Sequence, residues 1–158
     1  MFGFLGRYTH WLHGRWPAGT VETLPEVNED GSTAVSGLYV AGDLTGIPLL
    51  KFSSDTGARA VQTIADEAGF GSRAQRDGVC DLAIVGGGVA GMAAAIEAQK
   101  LGLDFKLLEA SERFSTVVNF PKGKPIYTYP TEMVPAGDLQ FPDTADVKER
   151  LLEELEAR

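Results

Sequence analysis

The run Asp81-Leu82-Ala83-Ile84-Val85-Gly86-Gly87-Gly88-Val89-Ala90-Gly91 constrains the fold of this chain more than any other stretch. Leu82 to Val85 is short and apolar and predicts a buried strand. Val89 to Leu101 is alanine-rich and predicts a helix, which Gly102 stops. The Gly-x-Gly-x-x-Gly pattern sits between them, and each glycine has a physical task there. Gly86 lets the chain turn tightly, Gly88 lets backbone approach a pyrophosphate, and Gly91 lets the helix pack close to the strand. The amides around Val89, Ala90 and Gly91, with the helix dipole, then face the phosphates. Phe105 to Leu108 predicts the next strand, closed by Glu109. An acid at that position accepts hydrogen bonds from an adenosine ribose and repels a ribose phosphate. A Gly-rich turn without a ligand is the alternative, but it gives no reason for strand, fingerprint, helix, strand and acid to follow in this order.

A second stretch lies upstream, Thr33-Ala34-Val35-Ser36-Gly37-Leu38-Tyr39-Val40-Ala41-Gly42-Asp43. Leu38 to Ala41 predicts a buried strand closed by Gly42-Asp43. Pro48 limits any helix before Leu49. From Ser53 to Ala68 the spacing of Ala58, Val61, Ile64, Ala65 and Ala68 predicts a helix with one apolar stripe. Ser53 or Ser54 is expected to cap it and Gly69 to end it.

Thr33 to Asp43 resembles the second flavin motif of the two-dinucleotide-domain flavoproteins, the group that includes thioredoxin reductase. In that family a small-residue strand ends in Gly-Asp and the aspartate binds the ribityl chain of FAD. The resemblance therefore assigns Gly42 and Asp43 to FAD, and it favours FAD over NAD, since NAD-only domains lack this element. It also places Lys51, in Leu49-Leu50-Lys51-Phe52-Ser53, where the start of a helix approaches the flavin ring. A lysine there would stabilise negative charge on reduced flavin; the other reading of Lys51 is a surface lysine. Glu109, Asn119-Phe120-Pro121 and Tyr127-Thr128-Tyr129-Pro130 are similar to the bacillithiol-disulfide reductase branch, where a Tyr-Pro loop follows the ribose-binding acid. The likeness covers most of residues 33–130.

The order of the two stretches is the reverse of the family's, which puts the Gly-x-Gly-x-x-Gly part first. Strand 38–41, helix 53–68 and strand 82–85 still make one right-handed crossover between parallel strands, and 82–85, 89–101 and 105–108 make the next. Asp43 and Gly86 then lie at neighbouring carboxyl ends, where such sheets bind ligands. The expected fold is α/β, a Rossmann-like parallel sheet with helices forming one FAD-binding domain over residues 1–158, circularly permuted. A junction of two reductase pieces is the rival account of the order.

The remaining sequence narrows the function. A length of 158 residues suits one domain. The apolar fraction of 44% and charged fraction of 23% are those of a soluble globular protein. A net charge of −8 argues against nucleic acid and against anionic membrane surfaces. It does not oppose a phosphate ligand held by backbone amides. No secretory signal or membrane-spanning stretch is visible, so a cytoplasmic location is expected. Cys80 is the one cysteine, which leaves no disulfide and no dithiol pair and reads as a half-buried structural thiol. His10 and His13 lack a third metal ligand, and no metal site is expected. No catalytic side chain is assigned.

Residues 1–32 form an N-terminal segment with a possible strand at Val21–Val27 and a turn at Asn28–Gly31. Gly71 to Gly78 reads as a polar connector. Residues 115–142 read as a long proline-rich loop. Asp143 is expected to cap a final helix with Val147, Leu151, Leu152 and Leu155 on one stripe, weakly supported by Arg150, Glu154 and Arg158. No helix-ending signal follows, and the sequence reads as cut short.

Neither a second Gly-rich fingerprint for NADPH nor a redox cysteine pair is present in the sequence. Electrons for a flavin would come from an NAD(P)H domain or a partner chain; a homodimer stays open. The expected function is the FAD-binding portion of an NAD(P)H-dependent oxidoreductase of thioredoxin reductase type, passing electrons to an unknown acceptor. The alternatives are a non-catalytic FAD- or NAD-binding module, or a fragment without turnover of its own.

Overall fold

The structure is a computed structural model that describes residues 7–8, 23–67, 70, 78–141 and 146–157. Its elements run in the order of a 3-10 turn Gly42–Thr45, helix α1 (Leu50–Asp66), strand β1 (Leu82–Val85), helix α2 (Val89–Lys100), strand β2 (Phe105–Leu108), short helix α3 (Ser115–Val118), strand β3 (Pro125–Ile126), strand β4 (Asp146–Val147) and helix α4 (Lys148–Glu156). The result is a mixed α/β chain with a parallel pair at its centre. β1 pairs with β2 from Leu82–Phe105 through Val85–Leu108. β3 and β4 pair antiparallel.

α2 is the helix around which the rest packs. Its alanines are buried on more than one face, because two apolar clusters share it. Val89 and Ala93 join Phe114, Val117, Ile126, Leu139, Phe141, Leu151 and Leu155 on one side. Ala94, Ala95 and Ala98 join Val61 and Ile84 on the other. A helix covered on both sides needs small side chains all round rather than a single stripe. α1 lies against α2 along its length, with Ala58 and Val61 at 0% and 2% exposure. α4 closes the first cluster with Leu151 and Leu155, and burying each contributes about 1.5–3 kcal/mol.

β1, α2 and β2 form where the sequence places them. α2 ends through Leu101, and Gly102 then takes φ +71° while the Leu103 amide returns to the Ala98 carbonyl. α1 starts at Leu50 rather than Ser53, after the extended Leu49. No side chain caps it, because the N-cap position falls on the apolar Leu49; the two serines lie inside the helix and bond elsewhere, Ser53 with Asp43 and Ser54 with the Leu139 carbonyl at 2.7 Å. Gly69 and Ala68 lie outside the described residues, as do Asp143, His10 and His13 and most of the connector 71–78. Val147 belongs to β4 and is exposed rather than part of the α4 stripe. The side chain of Glu154 and the whole of Arg158 also lie outside the described residues, so the helical ion pairs do too. The long loop is partly ordered by α3 and by the β3–β4 pair.

The expected strand at Leu38–Ala41 is not one. Its backbone bonds run within a local hairpin instead of to β1: Thr33 N–H donates to the Leu38 carbonyl, Val40 N–H donates to the Gly31 carbonyl, and Ser32 and Tyr39 form a single bridge. Leu38 is half exposed. A groove of about 240 Å³ separates this segment from β1, lined by Leu38, Tyr39 and Ala41 on one side and Leu82 to Val85 on the other. The two segments face each other without pairing. Residues 23–27, the described part of the suggested Val21–Val27 strand, form no strand either. The Asn28–Gly31 turn is present, with Gly31 N–H donating to the Asn28 carbonyl.

Candidate functional site

One cavity of about 220 Å³ is lined by both stretches that the sequence singled out. Gly42 and Asp43 form one wall and Gly86, Gly88, Val89, Ala90 and Gly91 the other. It lies past the carboxyl end of β1, where open α/β sheets bind ligands.

The second wall is shaped by backbone. Gly86 has φ +103°, a left-handed conformation that ends β1 abruptly. A methyl group on Gly91 would lie 1.8 Å from the Gly86 carbonyl oxygen, so only glycine lets α2 start this close to the strand. A methyl on Gly88 would meet nothing within 4 Å, and this face of the loop is open. α2 has no side-chain cap and no acidic residue in its first turn. Its leading amides therefore lack side-chain acceptors and carry the positive end of the helix dipole. No Lys or Arg is among the described residues lining the cavity. An anion there would be held by amides alone, and a pyrophosphate is the group that such a cradle fits.

Glu109 sits across this loop. Its carboxylate accepts from the Gly87 amide, and from the Ser111 amide at 2.9 Å. These bonds, the Gly87 one foremost, hold the exposed carboxyl below the usual range. The Gly87 carbonyl in turn accepts from Phe114 N–H at 2.9 Å, so the middle of the fingerprint is fixed from both sides.

The first wall is shaped by side-chain hydrogen bonds. Gly42, at φ +76°, turns the chain into the Gly42–Thr45 turn. Its amide donates to Thr56 Oγ1 at 2.9 Å, and that hydroxyl donates to the Phe52 carbonyl at 2.8 Å. Asp43 Oδ1 accepts from Ser53 Oγ at 2.9 Å. The two walls are locked by close contact between helices. A methyl on Gly57 of α1 would lie 2.2 Å from the Ala90 carbonyl oxygen, and one on Gly42 would lie 2.9 Å from Ala90 Cβ.

Lys51 is not brought to the cavity. It is 1% exposed, and its Nζ donates to the Thr131 carbonyl at 2.8 Å, tying the loop after β3 to α1. Ser53, Leu50, Phe114, Thr116 and Val117 do line the cavity, and sequence reasoning missed all five as site residues. Phe114 carries the least signal. It is a buried aromatic at φ 55°, a left-handed conformation rare for such a residue, and nothing in its sequence neighbourhood announces it.

Residues 81–123 match the family described as FAD binding domain. The matched stretch holds β1, the fingerprint, α2, β2, Glu109 and α3, and it supports an FAD-dependent flavoprotein oxidoreductase. No curated protein and no solved structure matches the chain. No helix among the described residues is long and apolar enough to cross a membrane. Among them there is also no cluster of metal-ligating side chains.

Proposed function

We propose that this chain binds FAD across the cavity between the Gly42–Asp43 turn and the start of α2, as the flavin-binding portion of an NAD(P)H-dependent oxidoreductase of thioredoxin reductase type. In this reading the amides at Gly88, Val89, Ala90 and Gly91 hold the pyrophosphate, while Gly86, whose own amide donates to the Leu108 carbonyl at 2.8 Å, supplies the turn that brings them there. Glu109 holds the adenosine ribose, and Gly42 and Asp43 hold the ribityl chain. The single observation that carries it is that one cavity joins two stretches far apart in sequence, each suited to one end of the same dinucleotide. The family match over 81–123 supports the phosphate half directly.

FAD, when bound, supplies the electron chemistry, and the protein's part is to place and tune it. The α2 amides neutralise phosphate charge without a cation. Phe114 and Val117 exclude water from the inner wall. Asp43 offers a charged acceptor to hydroxyl groups and repels phosphate, so it sets which end of the ligand lies where. Lys51 has no flavin contact in this reading, since Thr131 holds its ammonium. The hydride donor and the electron acceptor would come from another domain or a partner chain.

Asp43→Ala tests the assignment. A lost hydrogen bond to a charged group is worth about 1.5–3 kcal/mol, so FAD affinity should fall roughly tenfold to a hundredfold. NAD, whose binding would not use this wall, should bind as before. Unchanged FAD affinity would remove the ribityl assignment and leave a plain dinucleotide site.

A further inference from the structure

We propose that Ser53 is a positioning residue for Asp43, and that through this carboxylate it sets the preference of the site for a hydroxyl-rich chain over a phosphate. The proposal rests on the FAD reading above and extends it to a residue that would not touch the flavin's reacting atoms.

Ser53 is the fourth residue of α1, where a serine hydroxyl ordinarily points to solvent or bonds back to a carbonyl one turn earlier. Here its Oγ reaches ten residues upstream and donates to Asp43 Oδ1 at 2.9 Å. Its backbone amide is already satisfied by the Leu49 carbonyl at 2.8 Å, so the hydroxyl is not needed for helix initiation. The neighbouring Ser54 shows the structural use of the same side chain. It is fully buried, donates to the Leu139 carbonyl, and does not line the cavity. Ser53 is also buried, at 5% exposure, but it lines the cavity together with the exposed Asp43. Thr56, one turn further along α1, holds the Gly42 amide. The Gly-Asp turn is thus fixed at two points, its backbone by Thr56 and its carboxylate by Ser53.

Two consequences follow. A hydroxyl has one proton, and Ser53 gives it to Asp43 Oδ1, so this oxygen is fixed as an acceptor. Asp43 Oδ2 takes no hydrogen bond from the described residues and is left for a ligand donor. In addition, the rotamer of an exposed aspartate is selected before the ligand arrives, which lowers the ordering cost of binding. Both effects act on a ligand that offers hydroxyl groups to this wall. Neither acts on one that occupies only the phosphate wall.

The test is to titrate FAD and ADP into wild-type protein and into S53A, S53T, D43A and the S53A/D43A double variant, reading binding by fluorescence or calorimetry. S53A should weaken FAD by roughly threefold to tenfold and leave ADP within about twofold, the scatter of an uncoupled site. S53T, which keeps the hydroxyl, should restore FAD binding. In the D43A background, loss of Ser53 should have no further effect. Equal losses for FAD and ADP would make Ser53 merely structural and overturn the proposal, as would full additivity with D43A or unchanged FAD affinity in S53A. Should S53A fail to fold, S53C, of similar volume and with a weaker donor, must show the same inequality between FAD and ADP. Wild-type protein that binds ADP but not FAD would overturn the cofactor reading itself and this proposal with it; wild-type FAD binding with S53A at wild-type affinity would overturn this proposal alone.

Discussion

At the start of α2 the cavity wall is made of peptide groups and of side chains that are absent. Gly91 is there because a methyl would strike the Gly86 carbonyl, and Gly88 leaves open space for a ligand. At the Gly42–Thr45 turn the wall is made of hydroxyls and a carboxylate, Thr56 on the Gly42 amide and Ser53 on Asp43. The wall at the start of α2 is fixed in shape at Gly91 and, among the described lining residues, carries no charged side chain. The wall at the Gly42–Thr45 turn depends in addition on which atoms donate and accept. One cavity is thus built by two kinds of physics, steric fit at the backbone wall and hydrogen-bond polarity at the side-chain wall.

The sharpest way to break this contrast is at Gly91. Gly91→Ala forces a methyl to within 1.8 Å of backbone that cannot swing aside. Overpacking of this kind costs about 1–3 kcal/mol, which lowers Tm by roughly 2–4 °C for each kcal/mol in a chain of this size. A thermal melt of the unliganded variant checks it; an unchanged Tm would mean that the close approach of α2 and β1 is not required.

Gly88→Ala is the counterpart in the same loop. Nothing lies within 4 Å of the added methyl, so stability should stay within about 0.5 kcal/mol of wild type. FAD affinity should nevertheless fall, by about tenfold if one backbone–phosphate approach worth about 1.4 kcal/mol is lost. Stability and affinity measured on the two variants would separate a glycine required by the fold from one required by the ligand. A variant at Gly88 that binds FAD normally would show that the open face is not the ligand's.

The smallest effect concerns Glu109, which joins the wall at the start of α2 through the Gly87 amide. Its folded pKa lies below the ordinary value. The contribution of this contact is therefore present above the unfolded pKa and is lost as pH falls through the lowered folded one. The Gly87 amide proton, followed by NMR, should shift with a midpoint below the ordinary carboxylate range, and E109Q should abolish that transition. A midpoint at or above the ordinary range would mean that Gly87 does not hold the carboxylate in solution.

Legibility in the sequence follows the same division. The steric wall is written locally: β1, the three glycines, α2 and Glu109 lie in one short stretch, and a missing side chain is visible in a sequence. The polar wall is not. Ser53 looks like a helix cap until its partner Asp43 is known, and Lys51 looks like a flavin neighbour until Thr131 takes its ammonium. Leu38–Ala41 reads as a strand because a short apolar run carries no information on which backbone groups will satisfy it; Gly31 and Thr33 do so within a local hairpin. Phe114 depends on contacts with Gly87 and the α4 cluster that form only after the chain has folded back on itself.

The central claim is that both walls hold one flavin, and the visible absorbance of the purified chain, with the mass of whatever heat releases, tests it most directly. The account predicts a flavin spectrum, either as purified or after addition of FAD, and release of intact FAD. A colourless protein that refuses added FAD would contradict it.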